Sequence, residues 1–301
     1  MAITNVVRFD WAIKKLLRNK ANYDVLEGFL SVLLGRQMKI HRFLDSESNQ
    51  DNDSDKFNRV DMLVEDENGE ILLIEVQNDR QLDYFHRMLY GTSKTISEYI
   101  GLGDEYSKIK KIYSINIVYF NLGQGSDYVY KGVTSFKGLH DNTLLNLTKH
   151  QKDLYKIEKV EEIFPEYYLL RVEKFNQYAK NSLDEWISFL KTGEIDDSFS
   201  AQGLPQARQK LQFEKMSEEE RKAYKQYLEN LRYANSVMAT SHYEGMVEGE
   251  KKGRAEGEAI GRAEGEKAKA IETARKMKAK NYPIEDIAEM TGLSAEEIAE
   301  L

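Results

Sequence analysis

The chain has no cysteine among its 301 residues, which excludes a disulfide framework and a thiolate zinc site and fits a reducing cytoplasm. It has no apolar run approaching the roughly 20 residues of a membrane span, and its start lacks the apolar core of a secretory leader. A soluble cytoplasmic protein with no membrane partner is therefore expected. Positive charge is not in excess either. Lys and Arg number 43 against 51 Asp and Glu, giving a net charge of −8 and a pI near 5.4. Affinity for nucleic acid comes largely from neutralising phosphates, so a broad non-specific binding surface is excluded and basic residues would have to act locally. His41, His86, His140, His150 and His242 are scattered without ligand spacing, which leaves no zinc site and no histidine catalysis to propose. What is present suffices for a core: 41% of residues are hydrophobic and 11% aromatic.

The most informative stretch is residues 58–77, two apolar-rich runs on either side of Asp66-Glu67-Asn68-Gly69, which reads as a β-hairpin. Asp first, Asn third and Gly fourth suit a type I turn closed by a left-handed glycine, the common three-residue hairpin loop. Such a loop pairs Asp66 with Glu70, and counting back sets Asp61 opposite Glu75, with Cβ atoms about 5 Å apart on one face. Gln77 shares that face, and Leu72, Ile74 and Val76 point the other way. A two-residue Asn-Gly turn is the competing reading; it shifts the register by one and separates the two carboxylates onto opposite faces. Two carboxylates converging on one face, one of them inside Leu-Leu-Ile-Glu-Val, need a positive partner, and a hard divalent cation is the simplest.

Asp61…Glu75-Val76-Gln77 resembles the PD-(D/E)XK nuclease core, in which an acid from each of two adjacent strands binds Mg²⁺. Residues 9–14 (Phe-Asp-Trp-Ala-Ile-Lys), 26–31 (Leu-Glu-Gly-Phe-Leu-Ser), 74–77 (Ile-Glu-Val-Gln) and 85–91 (Phe-His-Arg-Met-Leu-Tyr-Gly) look like the Rpn-type recombination-promoting nucleases, also called PD-(D/E)XK family transposases. The likeness continues through a glycine-repeat tail and a Thr-Gly-Leu-Ser ending. It implies an α/β, restriction-endonuclease-like core with a mixed sheet flanked by helices, then a long C-terminal helix and a small helical hairpin. It also implies a Mg²⁺- or Mn²⁺-dependent endodeoxyribonuclease that cleaves DNA and promotes recombination in a bacterial mobile-element or defence setting. Asp61, Glu75 and the Val76 carbonyl would hold the metal, and Gln77 would orient water. Glu27 matches a first-helix acid that often reaches the metal; a solvated helix carboxylate is the alternative for it. Gln77 stands where the family pattern often has Lys, and an amide can neither carry charge nor act as a base. Arg87 or Lys94, aligned on one stripe of the following helix, could supply the missing charge or simply form a solvated basic face. The alternative function, from another class, is a non-catalytic oligomeric module binding nucleic acid or protein.

Along the rest of the chain, residues 10–18 and 23–35 read as helices, with Asp10 capping the first. Residues 38–45 read as a strand, and 46–56 as a polar loop. Residues 81–100 read as a helix with Leu82, Phe85, Leu89, Ile96 and Tyr99 inward, and 110–122 as a buried strand. Residues 127–136, 155–160 and 167–172 suggest an antiparallel extension, and 183–190 a helix burying Trp186 and Phe189. Ser217-Glu218-Glu219-Glu220 is a capping box, and nothing breaks the helix after it until Pro283. Six glycines recur every fourth residue from Gly245 to Gly265. They suit close packing against another copy, hence a homo-oligomer through this helix, or else a highly charged tether. The last twenty residues resemble a helix-turn-helix, but carry Glu285, Asp286, Glu289, Glu296, Glu297 and Glu300 with no basic residue, so a protein-contact cap is expected there. The expected domains are residues 1–203, 204–281 and 282–301.

Overall fold

The computed structural model describes residues 7–15, 17, 19–44, 61–101, 103–176 and 178–301, apart from the side chains of residues 14 and 214. Arg18, Asn58, Arg59, Val60 and the loop expected over residues 46–56 lie outside the described residues. Helices α1 (Phe9–Lys15) and α2 (Tyr23–Leu34) precede β1 (Ile40–Phe43), β2 (Met62–Asp66) and β3 (Ile71–Gln77). Helix α3 (Tyr84–Glu98) leads to β4 (Ile112–Val118), β5 (Val129–Gly132), α4 (Lys149–Tyr155) and β6 (Glu166–Arg171). Helices α5 (Ser182–Thr192), α6 (Leu204–Lys210), α7 (Glu218–Lys278), α8 (Ile284–Thr291) and α9 (Ala295–Glu300) complete the chain. It divides into two compact units, one ending at Tyr224 and the other Lys225–Leu301. Among the described residues, no helix is long and apolar enough to cross a membrane.

The six strands form one mixed sheet in the order β1-β2-β3-β4-β6-β5. β2 and β3 pair antiparallel through Met62–Ile74, Leu63–Leu73, Val64–Leu72 and Glu65–Ile71, the register that the three-residue turn dictates. The turn closes as expected. Gly69 has φ +78°, Asp66 N–H donates to the Glu70 carbonyl, and one Asp66 carboxylate oxygen accepts from Asn68 N–H and Glu70 N–H. β3, β4 and β6 are parallel, each residue of β3 flanked by its β4 counterpart in even register.

Two expectations need correction. Residues 155–160 do not form a strand: α4 ends at Tyr155 and a single 3-10 turn covers Val160–Glu162. β6 is antiparallel to β5 but parallel to β4, between which it inserts. Alternation along a strand fixes which residues share a face and says nothing of the strand's direction. The long excursion between β5 and β6 lets the chain return from either end of the sheet.

Helices cover both faces. On one side, Tyr119 at the end of β4 donates to the Leu190 carbonyl of α5, and Phe9, Phe29, Trp186 and Phe189 from α1, α2 and α5 form an edge-packed aromatic cluster. The burial expected of Trp186 and Phe189 is complete. α2 meets the start of α6 backbone to backbone, and a Cβ placed on Gly28 would lie 2.4 Å from Gly203 Cα. Leu204, Ala207, Leu211, Met216 and Tyr224 are all buried within the first unit. α3 covers the other face, with Ile96 and Tyr99 packed on Leu63, Ile71, Leu73 and Ile112.

In α7 the capping box forms as read, with Glu220 N–H donating to Ser217 Oγ and Ser217 N–H to the Glu220 carboxylate. Among the described residues, an added Cβ at any of its six spaced glycines meets nothing within 4 Å. In the second unit Ala274 of α7 packs with Ile287, Leu293 and Ile298 of the α8–α9 hairpin. That hairpin turns at Gly292, whose φ is +71°.

The close approach at Gly28 yields a stability prediction. Backbone atoms of Gly203 cannot rotate away from a new methyl group, so Gly28→Ala should destabilise the first unit by about 2 kcal/mol or more, as overpacking does. Guanidinium unfolding followed by Trp fluorescence measures it. A change within about 0.5 kcal/mol, the scale of surface substitutions, would mean that α2 and α6 separate freely.

Candidate active site

The hairpin register supplies the first two groups. One step beyond the Met62–Ile74 pair, Asp61 stands beside Glu75 at the end of the ladder. Ladder hydrogen bonds alternate along an antiparallel pair, so Val76 presents both its N–H and its carbonyl to the β2 side. There the Asp61 side chain takes the place of a strand partner, Oδ2 accepting from Val76 N–H at 2.7 Å. Glu75 is 5% exposed, and Asp61 is half-buried.

The parallel register then extends the row. Asn116 of β4 lies beside Glu75, and Leu169 of β6 beside Asn116, all on the α3 face. Asn116 is fully buried; its amide nitrogen donates to Ser114 Oγ (3.0 Å) and to the Tyr168 carbonyl (3.4 Å), which turns Oδ1 toward α3. Tyr84 meets it from the first turn of α3. Its hydroxyl stands 3.2 Å from Asn116 Oδ1 and 3.4 Å from Glu75 Oε2, two acceptors sharing one hydrogen. Burial first, then the Glu75 carboxylate and, more weakly, Asp61 push the Tyr84 phenol far above its ordinary pKa, while Arg87 acts in the opposite sense. The phenol is therefore a fixed proton donor that senses both acids.

Helix α3 lies on this row through a small-residue face. Its buried residues are Tyr84, Met88, Thr92 and Thr95, and a Cβ on Gly91 would stand 3.9 Å from Leu73 Cδ1 and 4.0 Å from Glu75 Oε1. The threonine hydroxyls donate to the Met88 and Gly91 carbonyls one turn back, which makes them compatible with burial. This corrects the inward stripe read from sequence: Leu82, Phe85 and Leu89 are 85%, 51% and 60% exposed. Apolar spacing marks a helix face, but here the Tyr84 anchor and self-satisfied threonines rotate that face away from the sheet.

Arg87 comes with the inward face. Its Nε is 3.5 Å from Glu75 Oε2, Nη1 donates to the Gln81 side chain, and Nε itself makes no hydrogen bond. Lys94 lies two turns further, about 10 Å along the helix, with its ammonium 3.8 Å from Glu98. Gln77 is on the same face as Glu75 at the mouth of the sheet, and its Nε2 donates to the Asp79 carbonyl at 3.2 Å. Glu27 is not brought to this row. Its carboxylate receives Lys39 Nζ at 2.7 Å and Ile40 N–H at 3.0 Å, and Ile40 pairs with Asp66 at the opposite end of the hairpin. Asp10, expected as a cap, lies inside the first turn of α1, where it accepts from the N–H of the next residue, Trp11, and binds the Arg8 guanidinium.

The row thus brings Asp61, Glu75, Gln77 and Arg87 together and adds Tyr84, Asn116 and Gly91, which sequence reasoning did not single out. The signal for Asn116 was an amide inside the apolar run Ile-Asn-Ile of a buried parallel strand, where a polar group needs partners. Among the described residues, no three acidic or histidine side chains gather as a metal cage. The donors at hand are two carboxylates and the Val76 carbonyl, all hard oxygens, which suits an ion such as Mg²⁺ that keeps several waters.

A mixed sheet flanked by helices, with acids on adjacent central strands, is consistent with a PD-(D/E)XK α/β fold. Residues 7–241 match the model of the PD-(D/E)XK nuclease family transposases, and the chain belongs to that family. No curated protein and no solved structure matches it. Membership supports a nuclease or transposase-related function. Given where the cations lie, Arg87→Ala should lower turnover on saturating DNA about 100-fold, the scale of losing one electrostatic donor at a reacting centre. Lys94→Ala should change it little. Equal losses of turnover and DNA affinity in Arg87→Ala would make the arginine a phosphate contact instead.

Proposed function

We propose that the chain is a divalent-metal-dependent endodeoxyribonuclease, acting on DNA in recombination or transposition. The observation that carries this reading is the hairpin register, which sets Asp61 beside Glu75 on the face that Arg87 also reaches. Asp61, Glu75 and the Val76 carbonyl would hold the ion, Mg²⁺ or Mn²⁺. Bound there, it would lower the pKa of a coordinated water and neutralise charge on the attacked phosphate. Gln77 would orient water with its amide, and Arg87 would provide the charge that Gln77 lacks. Tyr84 and Asn116 hold the Glu75 carboxylate in place. Glu75 is buried while Asp61 and Gln77 are half-buried.

Supercoiled plasmid with Mg²⁺ or Mn²⁺ tests the reading. The wild type should nick it and lose the activity in EDTA, and Asp61→Ala or Glu75→Ala should each reduce nicking at least 1,000-fold, on the order of losing a metal ligand and its activated water. Metal-dependent nicking that survives both substitutions would place the chemistry elsewhere. A folded wild type that binds neither metal nor nicks DNA would favour a non-catalytic binding module.

The tail is proposed as the oligomerisation element. Six glycines cost a helix roughly 1 kcal/mol each relative to alanine, and among the described residues nothing lies within 4 Å of an added Cβ at any of them. A second copy packed along that stripe explains why no side chain stands there. Gly253→Leu combined with Gly257→Leu should then dissolve the oligomer while raising helicity and leaving the first unit folded. Sedimentation of both proteins decides it, and a wild-type monomer at high concentration rejects the packing.

A further inference from the structure

On the α3 face, beside the candidate site, a cavity of about 360 Å³ opens between α3 and the β5–β6 pair. We propose that this cavity receives an unpaired nucleobase, so that the DNA taken by the site is single-stranded or locally opened. The proposal deepens the nuclease reading above and rests on it for the identity of the ligand. Phe85 and Leu89 form the α3 wall, Met88 and Leu169 the floor, and Tyr130 and Tyr167 the sheet wall. Phe85 and Leu89 are more than half exposed, although they sit on the helix that positions Arg87. Large apolar side chains left open together mark a binding surface. Gly132 supplies the room. It pairs with Tyr167, and a Cβ there would touch Tyr167 Cβ at 3.4 Å.

The position selects a base over other apolar groups. Met88 and Leu169 belong to the same buried cluster as Tyr84, whose hydroxyl contacts Glu75. Leu169 stands two strands from Glu75, about 10 Å at ordinary strand spacing, so a base in the cavity and a phosphate at the acids belong to neighbouring nucleotides. Rings in a paired duplex are stacked and cannot enter; an unpaired base can, and aromatic side chains hold it with little regard to sequence. The charge behind the wall also suits a polyanion. Arg171, 2% exposed, lies 5.8 Å from the Tyr130 ring and donates to neutral acceptors, the carbonyls of Gly123, Gly125 and Asp127 and the Asn121 side chain.

The full chain in EDTA, where cleavage is blocked, is titrated against a short fluorescent single strand, its perfect duplex, and that duplex with one bulged adenine. The single strand and the bulged duplex should bind about tenfold more tightly than the perfect duplex, the scale of stacking one base on an aromatic ring. Phe85→Ala, at an exposed position, and Gly132→Leu, which fills the cavity, should each erase the difference and leave perfect-duplex affinity unchanged. Equal affinity of the wild type for all three ligands overturns the proposal, as does a preference that persists in both variants. Sedimentation showing that Phe85→Ala dissociates an oligomer overturns it too, by making the groove a contact between copies of the chain. Plasmid nicking, measured separately with Mg²⁺, keeps the two readings apart. A wild type that nicks without preferring unpaired bases retains the nuclease and loses the pocket; one with the preference that never nicks retains the pocket and loses the nuclease.

Discussion

A glycine with φ +78° at the tip of the β2–β3 hairpin decides whether the two acids of the candidate site meet. With Gly69 left-handed and Asp66 capping the turn through its carboxylate, the ladder runs in the register that sets Asp61 beside Glu75. A shift of one residue would move Asp61 to the other face and leave Glu75 buried without its neighbour.

The second constraint is the fit of α3 over Glu75. Gly91 brings helix backbone close to the carboxylate, and Thr92 and Thr95 satisfy their own hydroxyls within the helix. Tyr84 joins Glu75 to Asn116 while packing edge-on against Phe120, so one residue serves both the polar row and the apolar cluster beneath it. The same rotation that brings Arg87 to Glu75 turns Phe85 and Leu89 outward, so the cation beside the acids and the open apolar wall come from one orientation of one helix.

Much of this was legible in the sequence because it is local. Turn chemistry at Asp66–Gly69 gave the register, the Ser217 capping box gave the start of α7, and the run at residues 110–122 gave the buried strand β4. What was not legible depends on contacts between distant segments. The inward face of α3 is set by Tyr84 meeting Asn116 across two elements, and hydrophobic periodicity alone pointed to Leu82, Phe85 and Leu89. The direction of β6 is set by where a long connection returns. Glu27 matched a motif position, yet the nearest donors to its carboxylate, Lys39 and the Ile40 amide, hold it at the far end of the hairpin.

The parallel pairing of β3, β4 and β6 also bears on how the protein reaches its folded state. The β2–β3 hairpin closes over a short loop and can form early, bringing Asp61 to Glu75 without help from the rest of the chain. Asn116 must arrive through the α3 crossover, and Leu169 only after β5 and the long excursion beyond it. Such high-contact-order pairings form slowly, because loop entropy is lost before the contacts repay it. During synthesis the acid pair therefore precedes its surroundings: Glu75 stays hydrated and unsupported until β4 docks, and the apolar wall behind it until β6 does. A nascent chain holding both acids would still lack the rest of the row, which comes late, as a property of the finished sheet.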